Sequence, residues 1–203
     1  MPSWMSLITK AAADPVYGMC VVMAIVRGAL VKQWYRLVKP NVRFGKDLRA
    51  FTWPVIKGPG RVVIGDNVRL ERSLLRNPVI LTHVSSARVR IGNGCCLSGT
   101  RISCVESVTV GDFGLIGTST IMDSQVVPYC GMRIDHEWVR DHVRPVTIGS
   151  HFWGGLNSFV LPGTQIGDEC VLGAGSVIGD ITVEDRSLII GNPARRAGQT
   201  RRE

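Results

Sequence analysis

Aromatic residues are scarce: Trp, Tyr and Phe together make up 6% of the 203 residues. The core must therefore rest on small and aliphatic side chains, a balance that suits tightly coiled β structure with many turns. The same scarcity removes the basic–aromatic alternation of a nucleic-acid platform, so no nucleic-acid partner is expected despite a net charge of +8. The six cysteines (Cys20, Cys95, Cys96, Cys104, Cys130 and Cys170) show no CxxC spacing, and no secretory signal peptide is legible before them. They are expected to be free, mostly buried thiols in a reducing cytosol, and no metal is expected. No apolar run reaches the ~20 residues that span a bilayer. The N-terminal candidate, residues 16–26, ends at Arg27 and reads as a buried helix or one lying at a membrane interface.

What the chain does have is glycine, 23 of them, and a period. Stepping by six from Ile148 gives Gly154, Val160, Ile166, Leu172 and Ile178. The residues that follow these are Gly149, Gly155, Leu161, Gly167, Gly173 and Gly179. Four places on stand Phe152, Ser158, Thr164, Cys170, Ser176 and Thr182, all small except Phe152. A strand repeats every two residues and a helix every 3.6, so this grammar fits neither alone. It predicts a three-sided prism in which each hexapeptide makes one short strand and one turn. The aliphatic residue points inward, the small residue fits the corner, and coils stack by parallel hydrogen bonds ~4.8 Å apart. Upstream, the phrases at 63–68 (VIGDNV), 90–95 (RIGNGC) and 110–115 (VGDFGL) repeat the pattern, with register slips read as loops or bulges at corners. Gly154 breaks the aliphatic column, which predicts a void or a repacking by Leu156 or Phe152.

The segment Pro145–Arg196, with its PV-x-IG-x-x-x-W opening, GAGSV coil and closing GNPA-R-R, resembles the C-terminal half of hexapeptide-repeat O-acetyltransferases. Maltose and galactoside acetyltransferases and sugar-modifying enzymes of polysaccharide pathways are of this kind. The resemblance implies an all-β solenoid, specifically a left-handed parallel β-helix, assembled as a homotrimer with active sites between neighbouring prisms. On it, residues 1–58 become an N-terminal helical region and linker, 59–190 the β-helix with an excursion loop at 123–145, and 191–203 a basic tail.

The implied donor is acetyl-CoA. Its pantetheine arm wants an extended groove of close backbone, and its 3′-phosphate wants cations, which Arg supplies bidentately. Carried over by motif, Trp153, Gly155, Ala174 and Ser176 line that groove, and Pro193, Arg195 and Arg196 approach the adenosine end. The repeat needs Gly155, Ala174 and Ser176 in any case, and a basic tail is commonly just solvated.

Acetyl transfer to a hydroxyl also needs a base, for which histidine is best placed, and a donor for the oxyanion. The resemblance puts that histidine in a D-S/T-D-x-H-P phrase, but here Val127 stands in its place, after Asp123 and Ser124 and before Pro128. Within the excursion, His136 is expected to replace it, oriented by Asp135 or Glu137, with His142 as second choice. His151 is expected to point outward, and His83 to belong to a poorly registered coil.

Residues 3–38 read as one or two helices, and after the apolar run come the basic residues Arg27, Lys32, Arg36, Lys39, Arg43, Lys46 and Arg49. Their apolar face is expected to pack on the prism or a neighbouring subunit, with docking at the inner face of the membrane as the alternative. The expected function is transfer of an acetyl group from acetyl-CoA to a small-molecule or lipid-linked sugar, in polysaccharide or lipopolysaccharide biosynthesis in the cytoplasm. A catalytically weakened homologue kept as a scaffold is the competing reading. A zinc carbonic anhydrase is disfavoured, because LIGTST at 115–120 lacks the IGH phrase such a site would carry.

Overall fold

The structure, a computed structural model, describes residues 14–73, 76–124 and 142–200. Asp135, His136 and Val127 lie outside the described residues. The chain visits three sheets in rotation. The first sheet stacks seven strands, from Val42–Phe44 to Thr182–Val183. The second stacks eight, from Arg49–Ala50 to Ala194–Gln199, and the third six, from Val55–Lys57 to Val177–Ile178. All pairings are parallel except the last. In the C-terminal half the register matches the six-residue step: Ile148 pairs with Ile166, Gly154 with Leu172 and Val160 with Ile178.

The inward residues form three columns between the sheets. Ile64, Ile91, Val110, Ile148 and Ile166 line the first, Leu70, Leu97, Ile116, Leu172 and Ile189 the second, and Ile56, Ile80, Ile102, Ile121, Val160 and Ile178 the third, all buried. Each such side chain contributes ~1.5–3 kcal/mol on burial. Gly154 interrupts the second column, and Phe152 fills the space, as one of the two repackings expected; it is buried, whereas Leu156 is exposed. A Cβ on Gly154 would stand 3.0 Å from the Phe152 ring and from Ser119 Oγ.

One corner is held by a ladder that the Ile-Gly-Asp phrases encode. Asp66 Oδ1 accepts from the Lys46 N–H at 2.6 Å, Asn93 Oδ1 from Asp66 at 2.9 Å, and Asp112 Oδ1 from Asn93 at 2.6 Å. Ser150 Oγ, Asp168 Oδ1 and Asp185 Oδ1 continue the series. Each short polar side chain reaches back into the preceding coil, which explains why that coil's corner carries glycine. At Gly65 a Cβ would come within 2.7 Å of Asn93 Oδ1 and of the Gly92 carbonyl carbon. The residue after each polar one turns left-handed, and only Gly94 among them is glycine; Asn67, Phe113, His151, Glu169 and Arg186 hold φ of 55° to 59°.

Three departures from the sequence reading follow. The sheets begin at Val42, before residue 59. Between Arg69–Glu71 and Val79–Thr82 stands an antiparallel bridge, Ser73 with Arg76, outside the parallel pairing of the coils. The segment read as a basic tail forms a strand, Ala194–Gln199, folded antiparallel onto Ser187–Gly191.

The helix Pro15–Val38 starts where Asp14 caps it, its carboxylate accepting from the Tyr17 N–H at 3.0 Å, with Pro15 in the first turn. It ends before Pro40. Val21, Ala24, Gly28, Val31 and Tyr35 form its buried stripe against the first coil. Tyr35 Oη donates to the Pro54 carbonyl and accepts from Ile56 N–H, both at 3.0 Å, and Arg27 donates to the Phe51 carbonyl at 2.6 Å. A Cβ on Gly28 would collide with the Leu48 carbonyl. The opposite side of the helix, including Val22, Leu30, Trp34 and Leu37, is exposed.

Candidate functional site

The outer face of the third sheet carries a groove of about 590 Å³. Its floor is the outward-pointing set Val79, Leu81, Arg101, Ser103, Thr120, Met122 and Phe159. Arg76 and Asn77, from the 72–78 connection, wall it on one side, and Gly99 and Thr118 lie at its corner with the second sheet. Among the described residues two arginines and no carboxylate line it, so this lining presents positive charge to a ligand.

At the far edge the chain leaves the third sheet after Thr120–Met122 and returns at Val143. The root of this excursion is clamped by Asp123, which is fully buried. Its Oδ1 accepts from the Val105 N–H at 2.8 Å, and its Oδ2 from Glu106 at 2.7 Å and Ser107 at 2.8 Å. Cys104 Sγ lies 3.4 Å from the same oxygen. The carboxylate thus ties the excursion to the coil below. A bridge between Ser124 and Val143 closes its base, and His142 stands exposed beside it.

On the same corner, His83 Nε2 and Ser103 Oγ are 2.9 Å apart. Burial holds the His83 imidazole below the ordinary histidine value, and the Asp123 charge partly opposes that shift. Burial also pushes thiols up: Cys95, Cys104 and Cys170 are raised and Cys96 reaches about 11, so these cysteines are poor nucleophiles. Among the described residues no three His, Cys, Asp or Glu side chains gather to hold a metal.

No protein-family profile matches the chain. Over 51 residues it is 45% identical to a Staphylococcus aureus protein described as an acetyltransferase, a match covering 25% of each chain. The chain thus spans about a quarter of the length of such relatives. It is 27% identical over 191 residues, 88% of both chains, to Escherichia coli WbbJ, described as a lipopolysaccharide biosynthesis O-acetyl transferase. Its relatives are hexapeptide-repeat acetyltransferases. The fold is also that of an N-acyltransferase, AntD from Bacillus cereus, solved with dTDP and coenzyme A. The TM-score is 0.58 at 20% identity, over 78% of this chain and 84% of that one.

The donor-side residues predicted from this acetyltransferase resemblance fall into three groups. Trp153, Gly155 and Ala174 share one side of the molecule, where the second sheet turns toward the third. Trp153 is exposed on the second sheet. Gly155 lies so close to the next coil that a Cβ would meet the Ala174 N–H at 2.5 Å. Ser176 differs: its hydroxyl is buried and accepts from the Gly191 N–H at 3.0 Å, which holds the coil together. Pro193, Arg195 and Arg196 belong to the terminal hairpin, where Arg195 is exposed and Arg196 pairs with Glu184 at 2.9 Å. His151 is exposed at the corner between first and second sheets, stacked on Phe113 with centroids 5.1 Å apart, away from the groove. Asp135 and His136, predicted for catalysis, lie outside the described residues. Sequence reasoning missed Arg76, Arg101, Ser103 and the partnership of His83. The signal for them was the register slip at 72–78, which marks where a wall rises beside the sheet.

Proposed function

We propose that the chain transfers an acetyl group from acetyl-CoA to a hydroxyl or amine of a sugar or glycan, in polysaccharide or lipopolysaccharide biosynthesis. The observation that carries this reading is the groove on the third sheet. It runs from the corner of Gly99 and Thr118 to Met122, which leads into the root of the excursion, on a fold shared with an acyltransferase solved with coenzyme A. The thioester enters along the glycine corner, with Trp153 beside it and Arg195 toward the adenosine end. Arg76 and Arg101 take phosphate oxygens of donor or acceptor. The acceptor meets the acetyl carbon at the excursion end. There the new bond forms, the C–S bond breaks, and a histidine takes the acceptor proton. His136, oriented by Asp135, and His142 are the candidates that the excursion carries. Winding of the coils is left-handed and three copies assemble, as in the enzymes the sequence resembles.

The acceptor sugar is lipid-linked in this reading, and the enzyme works at the cytoplasmic face of the membrane. The exposed apolar side of the helix, with Lys32, Arg36 and Arg43 around a hollow of about 440 Å³ beside it, supports that placement. Co-sedimentation with vesicles of anionic phosphatidylglycerol but not of neutral phosphatidylcholine is expected. Absence from both would assign the helix face to a neighbouring subunit.

Thiol release from acetyl-CoA with a panel of sugar acceptors, alongside calorimetric titration with coenzyme A, tests the reaction. Acceptor-dependent release supports it. Val127, standing where the similar enzymes carry histidine, favours one competing reading, a scaffold that has lost turnover. Tight coenzyme A binding with no release from any acceptor would select that scaffold.

A further inference from the structure

Behind one hydroxyl of the groove floor, that of Ser103, stands a histidine that is not in the excursion. The geometry points to His83, acting through the Ser103 hydroxyl, as the base that takes the acceptor proton. This inference rests on the acetyltransferase reading above and replaces the excursion histidines within it.

Ser103 is the hydroxyl nearest the excursion root on the groove floor, and it is nearly buried, 8% exposed. Its Oγ sits 2.9 Å from His83 Nε2. With the ring protonated on Nδ1, Nε2 accepts from Oγ–H, and the serine oxygen is left with lone pairs toward the groove. Two coils fix the pair. The His83 N–H donates to the Cys104 carbonyl at 2.9 Å. Leu81 and Thr82 are in register with Ser103 and Cys104. The carboxylate of Asp123 lies on the next coil, held by three backbone N–H groups with Cys104 Sγ beside it. Its charge favours the imidazolium once formed. A ring kept neutral at rest by burial and stabilised after protonation by a fixed anion is suited to a base that works once per turnover.

The step balances without a co-reactant. The acceptor hydroxyl proton passes to Ser103 Oγ while the Ser103 proton passes to His83 Nε2. The acceptor oxygen bonds to the acetyl carbon, the C–S bond breaks, and the departing thiolate takes the proton back from the imidazolium. Ser103 is unchanged at the end of the cycle. This also accounts for Val127: with the base on the coil, the excursion has no need of a histidine at that position.

The test compares wild type with His83→Ala, Ser103→Ala, Ser103→Thr, His136→Ala and His142→Ala. Each is measured for kcat and KM in thiol release, for coenzyme A affinity and for melting temperature. His83→Ala and Ser103→Ala are expected to lower kcat by about 100-fold or more with coenzyme A affinity unchanged. Ser103→Thr should keep turnover, and added imidazole should restore part of the His83→Ala rate, which a merely structural histidine would not allow. If His83→Ala turns over like wild type while His136→Ala or His142→Ala is silent, the base lies in the excursion: this inference falls and the acetyltransferase reading stands. If His83→Ala is silent because it unfolds, a fully active Ser103→Ala overturns the relay. If wild type releases no thiol with any acceptor, the acetyltransferase reading falls, and the relay falls with it.

Discussion

Replacing Asp123 by Asn changes one atom of a buried side chain and is expected to cost about 3–5 kcal/mol. The carboxylate accepts three backbone N–H groups, one at Oδ1 and two at Oδ2. Asparagine keeps one oxygen. Placed toward Glu106 and Ser107, that oxygen retains two weaker, uncharged bonds and turns an NH₂ group against the Val105 N–H. One buried donor is then unsatisfied and faces another donor, at ~1–3 kcal/mol. The two remaining bonds lose their charge assistance, which accounts for the rest. At ~2–4 °C per kcal/mol for a chain of this size, the melting temperature should fall by about 10 °C. Asp180→Asn is the control. Asp180 pairs with Arg144 at 3.3 Å with both side chains exposed, a contact worth ~0–1 kcal/mol. Melting followed by circular dichroism would read both variants. An Asp123→Asn protein that melts within about 2 °C of wild type would refute the clamp.

Phe152→Ala should destabilise by about 3–5 kcal/mol in urea unfolding, because the ring fills the space left by Gly154; Phe152→Leu should cost less. Of the five described cysteines, only Cys20 should react quickly with a thiol reagent at neutral pH, since Cys95, Cys96, Cys104 and Cys170 are buried with raised values. In a Cys130→Ser background, loss of fast labelling on adding Cys20→Ser would check it. His83 is lowered in the folded chain, with Asp123 the charged group opposing that shift. Between its lowered value and the ordinary ~6.5 the unfolded chain therefore binds more protons, so stability should rise with pH through that window and decline on acidification. The slope of unfolding free energy against pH should flatten in His83→Gln, and an unchanged slope would contradict it.

The columns of the core were legible because Ile148, Val160, Ile166, Leu172 and Ile178 repeat at the step that stacks them. The first coil was not. Its corner reads Phe44-Gly45-Lys46 rather than Ile-Gly-Asp, with the polar partner supplied from the next coil by Asp66. The strand Ala194–Gln199 escaped for a different reason: it pairs antiparallel, outside the repeat, and its sequence has no six-residue grammar. At the site, the periodicity could announce that the coil is broken near residues 72–78 but not that the break walls a groove. Nor could it join His83 to Ser103, twenty residues apart, because that requires the length of the irregular coil between them. Asp123 was visible as part of a motif, while its work as the clamp of the excursion depends on three N–H groups that no side-chain pattern displays.

The most direct test of the account is a search for the acetylated product itself. The purified chain is incubated with acetyl-CoA and a panel of free, nucleotide-linked and lipid-linked sugars, and each acceptor is weighed by mass spectrometry. The account predicts that at least one sugar gains a single acetyl group, and that the gain disappears in Ser103→Ala. A chain that binds coenzyme A yet leaves every sugar unmodified would contradict it.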